Sequence, residues 1–419
     1  MVTYRTPDVY VEEVPSGARS LERQGTSTCG FVGEAPHPQA RLNEVVAINN
    51  WSEFQRLFTT ETSTGTALSN AVFGFFQNGG TRCYVVNVGS SQIGADDNRV
   101  RAGLALFETI DEIAIVACPG FTDVSSYEEV LSHCEKLQDR VGILDAPYPV
   151  ENIDLLTEAA TVQPSRIPRR RTETPPAEGE SEGASDASAP ASPPVASALR
   201  ARQSEYGTYY FPWIIARDSL PPYALIEMPP SGHVAGIWAR SDATRGVHKA
   251  PANEPIRGAL GLTYRLTRDE LGMLNQAGVN CIRIFATEGI RLWGARTLAG
   301  SSSQWRYLNV RRLFNMIKES IAEGTRWIVY EPNDITLWKS IRRDISAFLM
   351  GLWRDGALMG RTPEQAFFVK CDEETNPQDS IDAGMVITLI GIAPVKPAEF
   401  VVFRISQYDG GSDVEMLGG

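Results

Sequence analysis

A chain of 419 residues, 42% of them hydrophobic, can bury more than one core and is expected to be globular. Its formal charge of -12 repels nucleic acid and anionic membrane over the surface as a whole, so no direct nucleic-acid partner is expected. The longest apolar run, Met385 to Val395, is far short of the roughly 20 residues that cross a bilayer, which argues against membrane insertion.

Nothing near Met1 has the basic start and continuous apolar core of a signal peptide, so a cytoplasmic origin is expected. Six scattered cysteines without a CxxC pair read as buried free thiols. Thr6 to Val14 (TPDVYVEEV) is a short strand set apart by Pro7 and by Pro15-Ser16-Gly17. Thr26 to Glu34 is a second strand. Ser52 is expected to cap a helix ending at Phe58, and Leu68, Ala71, Val72, Phe75 and Phe76 carry helical spacing up to Gly79-Gly80. Strand Cys83 to Val88, a helix near Ala102 to Phe107, strand Ile113 to Gly120, helix Ser126 to Leu137 and strand Val141 to Pro147 continue the alternation that argues for an α/β sheet layered by helices. Gln163 to Gln203 has no aromatic residue, is rich in Pro, Ala, Ser and Gly, and holds Arg169 to Arg171. Such a segment buries too little to offset the roughly 1 to 2 kcal/mol per residue of backbone ordering, and disorder is expected.

Tyr206 to Ile214 restores strand character, and Pro221 to Pro255 is expected to be a long loop. Thr267 and Glu270 form a capping box for a helix ending at Gly278, followed by strand Cys281 to Ala286. Asn309 to Ile321 is amphipathic, with Val310, Leu313, Phe314, Ile317 and Ile321 inward and Arg311, Arg312, Asn315 and Lys318 outward. After an expected strand Thr325 to Glu331, Asp334 starts a second such helix, with Ile335, Trp338, Ile341, Ile345, Phe348 and Leu352 inward and Lys339, Arg342 and Arg343 outward. Strands Ala366 to Cys371 and Met385 to Val395 precede a terminal strand in which Val401, Phe403 and Ile405 share one face and Phe400, Val402 and Arg404 the other. The fold class is mixed α/β: an outer α/β sheet domain over 21–255 and a C-terminal α/β domain over 256–397, between extended arms 1–20 and 398–419. An unpaired strand at each end is either lent to a neighbour or an aggregation hazard.

Glu331, at the end of an expected buried strand, is the best candidate for catalysis. It would serve a carbohydrate-active hydrolase with Trp293, Trp305 and Trp338 as stacking surfaces. The plainer account has Pro332 ending the strand, Asn333 or Asp334 capping the next helix and Glu331 paired with an arginine. His133 and Cys134 are neighbours on a helix and point apart, while His37, His233 and His248 fall in expected loops without ligand spacing. Ser301 to Ser303 read as a flexible loop. No P-loop, GxGxxG, HExxH or GxSxG motif is present, and no cofactor or metal is expected.

The runs SGHVAGIWARSDATRGVHKAPANE (from Ser231), LNQAGVNCIRIF (from Leu274), LWGARTLAG (from Leu292), WRYLNVRRL (from Trp305), YEPND (from Tyr330) and GIAPVKPAEFVVFRISQ (from Gly391) together resemble the contractile tail sheath proteins of phages and phage-derived injection systems. The resemblance implies a structural, non-enzymatic subunit of a phage tail or tail-like particle. Copies would stack as six-fold rings around an inner tube protein, with baseplate and terminal cap proteins as further partners. It also implies exchange of the arms, Val9, Tyr10, Val11, Glu12, Glu13 and Val14 at one end and Phe400, Val401, Val402, Phe403, Arg404 and Ile405 at the other, into neighbouring copies. Two basic faces, Arg311, Arg312 and Lys318 on one helix and Lys339, Arg342 and Arg343 on the next, are candidates for an acidic tube surface. The hydrolase around Glu331 and a non-contractile collar or baseplate-proximal paralogue stay open as alternatives.

Overall fold

The structure, a computed structural model, describes residues 21–89, 99–160 and 198–402. β1 (Cys29–Gly33) is buried along its whole length, as a strand covered on both faces must be. β2 (Val45–Ile48), which the sequence pattern did not announce, leads into α1 (Trp51–Phe58). Asn50 caps α1 by accepting the Glu53 N–H, so the expected cap Ser52 lies inside the helix. α2 (Ala67–Asn78) opens on a reciprocal Thr66–Ser69 capping box and stops at Gly79, whose φ of 116° suits glycine. β3 (Cys83–Asn87), α3 (Arg99–Ala105) tightening into a 3-10 turn over Leu106–Thr109, β4 (Ile115–Ala117), α4 (Val124–Leu137) and β5 (Val141–Asp145) keep the expected alternation.

Residues 198–203, assigned above to the disordered stretch, are held in place: Arg202 pairs with Glu128 at 2.7 Å and Glu135 at 2.8 Å on α4. β6 (Gly207–Phe211) and β7 (Ile214–Arg217), expected as one strand, part at Pro212 and enter different sheets. The expected loop 221–255 instead contains β8 (Leu225–Met228), α5 (Ser231–Arg245) and β9 (Glu254–Pro255). β10 (Ala259–Leu262), α6 (Arg268–Gln276), β11 (Val279–Phe285) and β12 (Gly289–Leu292) follow, with the Thr267–Glu270 capping box formed as the sequence predicts. α7 (Leu308–Gly324), α8 (Ile335–Arg354), the short α9 (Pro363–Ala366), β13 (Phe367–Lys370), the short α10 (Gln378–Asp382) and β14 (Leu389–Ile392) complete the described chain.

Among the described residues, nine strands form one sheet in the order β2-β3-β1-β4-β5-β6-β11-β12-β9. Its six inner strands run parallel and the edges are antiparallel. Alternate side chains serve two cores: Phe31, Val85, Ile115, Ile143, Tyr210 and Ile282 meet α1, α2 and α5, while Val32, Val86, Val116, Leu144 and Tyr209 meet α3, α4 and α6. Because β11 pairs with β6, this sheet layer carries strands from both sides of residue 255, the boundary expected above. β10-β7-β8 form a small sheet of their own, and β13-β14 a two-stranded one. A third core joins α7, α8, β13 and β14 into a C-terminal layer.

Two expected strands are corrected. Thr325 to Glu331 is a 3-10 turn over Arg326–Ile328 followed by exposed chain, with Val329 64% and Tyr330 fully exposed; a β-branched and aromatic run finds no neighbouring strand to pair with. Of Met385 to Val395, only Leu389–Ile392 is strand. Ile335, expected inward, is 49% exposed because it begins α8 beyond the reach of the third core.

Candidate assembly interface

The C-terminal segment leaves β14 along the loop after α8: Met359 donates to the Ala393 carbonyl at 2.7 Å and Val395 donates to Ala357 at 3.2 Å. Asn309 on α7 holds the Val395 carbonyl at 3.0 Å. Glu399 then reaches the sheet layer, where Arg296 grips it through Nε at 2.8 Å and Nη2 at 2.7 Å and Asn275 donates at 3.0 Å. The receptor is built locally, since the Asn280 side chain accepts the Arg296 N–H at 2.7 Å and donates to its carbonyl at 2.8 Å. Burial pushes the Glu399 carboxyl up, but the hydrogen bonds from Arg296 and Asn275 outweigh it and hold the group below the ordinary carboxylate value. Directly beyond this grip, Phe400, Val401 and Val402 are 73%, 70% and 79% exposed and belong to no strand. Phe403, Arg404 and Ile405, the N-terminal set Val9 to Val14, and Arg169 to Arg171 lie outside the described residues.

At the other end, Leu21 is buried in the third core and fills the space that a Cβ on Gly324 would need. Arg23 pairs with Asp355, and the Gln24 N–H donates to Ser320 Oγ at 3.0 Å. Thr26 donates to Asp242 at 2.6 Å and receives Arg312 on its carbonyl at 3.0 Å.

Arg312 is therefore not on an outward face. It forms a buried pair with Asp242 at 2.5 Å, and its guanidinium lies 4.8 Å from the Trp238 ring centre. Arg311 is buried too, paired with Glu205 at 3.0 Å and set between the Tyr206 and Trp305 rings at 4.7 and 4.0 Å. Asn315 accepts from Arg311 Nε. The amphipathic reading assumed one covered face; α7 lies between two layers, so its polar side is buried against the sheet layer as its apolar side is against α8. Lys318 stays exposed and donates to Gln138 Oε1 at 3.1 Å. Lys339, Arg342 and Arg343 are exposed on α8 as expected, Arg343 with Asp344 beside it at 3.0 Å.

The carboxylate at Glu331 is exposed at a turn instead of at the mouth of a buried strand. Trp305 is occupied by Arg311, and Trp338 is buried with its indole N–H on Asn333 at 2.8 Å. Asp334 caps α8 by accepting the Leu337 N–H. No strand presents Glu331 for the hydrolase reading; of the plainer account the Asp334 cap is the part that the structure shows, and Pro332 follows a turn instead of a strand. His233 sits on α5, not in a loop, and burial lowers the pKa of both His133 and His233 to about 4. Among the described residues no His, Cys, Asp and Glu group could hold a metal ion, and no helix is long and apolar enough to cross a membrane. The Glu399 grip was not anticipated. Its sequence signal is a lone acid, Glu399, in the otherwise apolar and basic run from Gly391 to Ile405.

Residues 196–298 match the phage tail sheath protein central domain, and residues 300–407 match the phage tail sheath C-terminal domain. The chain belongs to the contractile tail sheath protein family. The tail sheath protein of Vibrio phage KVP40 is 29% identical over 195 residues, 46% of this chain and 28% of that protein. A putative prophage major tail sheath protein of Pseudomonas aeruginosa is 31% identical over 189 residues, 44% of this chain and 47% of that one. The chain thus spans less than half the length of these curated sheath relatives. Likeness to solved structures extends further: the PVC sheath complex of an extracellular contractile injection system in the contracted state superposes with a TM-score of 0.73 at 27% identity, covering 97% of this chain and 99% of that one. The contracted helical sheath of the anti-feeding prophage gives 0.72 at 27% identity over 97% and 100%. The relatives are named for a structural part, and the sheath family is not an enzymatic one.

Proposed function

We propose that this sheath-family chain polymerises as stacked six-fold rings around an inner tube and shortens to drive that tube forward, with its terminal strands exchanged between copies. The observation that carries the reading is the apolar trio Phe400 to Val402, which leaves a fixed root largely exposed and in no strand. In a solitary soluble protein such a segment is a hazard; in a polymer it is a connector. A receiving surface is on the same chain: among the described residues no third strand joins β13-β14, whose outer side carries Phe368 and Leu389 at 54% and 53% exposure. Each main-chain bond added there contributes only about 0.5 to 1.5 kcal/mol net, and repetition along a lattice multiplies it. Contraction then follows from a lower free energy of the shorter packing, with no nucleotide required. Lys339, Arg342 and Arg343 on α8 form the exposed basic face that could meet an acidic tube, with Lys318 exposed separately on α7; Arg311 and Arg312 are withdrawn because they are buried.

Electron microscopy of the chain co-expressed with its tube protein tests this. Striated cylinders of two lengths and diameters support it, and a monodisperse monomer with both ends folded back on itself overturns it. Two of the similar structures are anti-feeding prophage baseplates, one six-fold symmetrised and one in the contracted state, which favours a baseplate-proximal position; a non-contractile paralogue there is the second reading. A single cylinder form under all conditions would select it.

A further inference from the structure

The roots of the two arms are attached crosswise. Among the described residues, the chain entering β1 of the sheet layer is first seated on the C-terminal layer, by Leu21 in the notch at Gly324, by Gln24 on Ser320 and by Arg23 on Asp355. The chain leaving β14 of the C-terminal layer is last seated, among the described residues, on the sheet layer, by Glu399 on Arg296 and Asn275. Of these contacts the Glu399 grip is the most constrained. Arg296 is 8% exposed in its side chain, its backbone is held on both sides by Asn280, and its third nitrogen donates to the Asn275 carbonyl at 2.8 Å. Two parallel bonds from a guanidinium fix orientation as well as position.

We propose that Glu399 and Arg296 are a positioning pair for assembly: they set the point and direction at which the C-terminal arm leaves the subunit. Together with the Leu21 seat they carry a pull on either arm across the seam between the two layers. Phe400 follows the gripped Glu399 directly, so an arm that pairs from Phe400 onward has little freedom to search before its first pairing position. A strand displaced by one residue presents its other face to the acceptor, which makes a fixed departure point a condition of correct register. Tension on an arm anchored within its own layer would pull that layer from the other; here each pull crosses the seam.

This inference rests on the arms being taken up by other copies, and the experiment separates the two ideas. The full chain with its tube protein is compared with Glu399→Gln, Glu399→Ala and a chain lacking residues 403–419. The readouts are cylinder yield against protein concentration, hydrogen exchange of the amides from Ala398 to Val402 within the assembled cylinders, and thermal melting of the monomer. For Glu399→Ala the expected results are exchange at those amides at least about tenfold faster, a concentration threshold for cylinders raised by about tenfold or more, and a monomer melt that stays cooperative though lowered by the stranded Arg296 guanidinium; Glu399→Gln, which keeps an acceptor, should recover part of all three. If truncation abolishes cylinders while Glu399→Ala assembles and exchanges like wild type, the positioning role is overturned. If the truncated chain assembles normally, it is the arm reading itself that fails.

Discussion

Arg312 and Asp242 have 3% and 4% of their side chains exposed, and each is the other's main compensation. Replacing the arginine alone leaves a buried carboxylate without a counter-charge, so Arg312→Met should cost about 3 to 5 kcal/mol in a denaturant melt. Arg312→Met with Asp242→Leu should cost much less, because no stranded charge remains. Asp145 offers a titration test. It accepts the Ser231 N–H at 2.8 Å, yet burial pushes its carboxyl up to about 7. An unfolded aspartate ionises near pH 4, so between roughly pH 4 and 7 the folded chain keeps a proton that the unfolded chain has released. The stability it contributes is complete below that window and lost as pH rises through it. Asp145→Asn should therefore gain on wild type as pH is raised from 5 to 8, read as the difference in denaturant midpoints. His133 and His233, lowered to about 4, lose stability in the acid direction, and that difference cancels them. None of these partners is legible from periodicity, which says that a position is polar but not whether a second layer covers it. Arg311 and Arg312 were misread for that reason, while Lys339 and Arg342, on a helix covered on one side, were read correctly.

α5 is the element that sequence patterning hides best. Its residues from Ser231 to Ala239 are buried all round, so no polar stripe marks a helix, and Gly232 and Gly236 imitate a loop. Those glycines have a packing reason: a Cβ on Gly232 would stand 2.2 Å from the Ala71 carbonyl oxygen, and one on Gly236 2.4 Å from that of Phe75. α5 and α2 thus approach backbone to backbone. Gly232→Ala should lose about 1 to 3 kcal/mol by overpacking. Gly272→Ala on α6, where nothing lies within 4 Å of an added methyl group, should instead gain up to about 1 kcal/mol; chemical denaturation of both variants checks the contrast. β3, β4 and β5 of the large sheet were readable because each is a short apolar run next to a capped or glycine-stopped helix, whereas β2 was not. Thr325 to Glu331 has the same composition and failed as a strand because pairing depends on neighbours that composition does not reveal.

The subunit as a whole carries a net charge of -12, against which the exposed Lys339, Arg342 and Arg343 make a local exception. If that face meets an acidic tube, Lys339→Glu with Arg342→Glu should weaken co-sedimentation with the tube and leave the melting temperature of the isolated chain near wild type. Raising salt should weaken the wild-type interaction in the same direction, since exposed charges are screened within about 10 Å at 0.1 M. Layer order was partly legible: alternation of strands and helices announced the sheet, but the return of β11 beside β6 is a long-range pairing with no local signature. All six cysteines lie beneath this architecture as free thiols, and burial pushes Cys134 and Cys281 up to about 12. With no covalent cross-link guarding them, only the closed fold stands between these sulfurs and an alkylating reagent. The molecule therefore contains its own integrity gauge: an intact chain should stay silent toward such a reagent, and a damaged one should announce, by the number of sites modified, how far its layers have come apart.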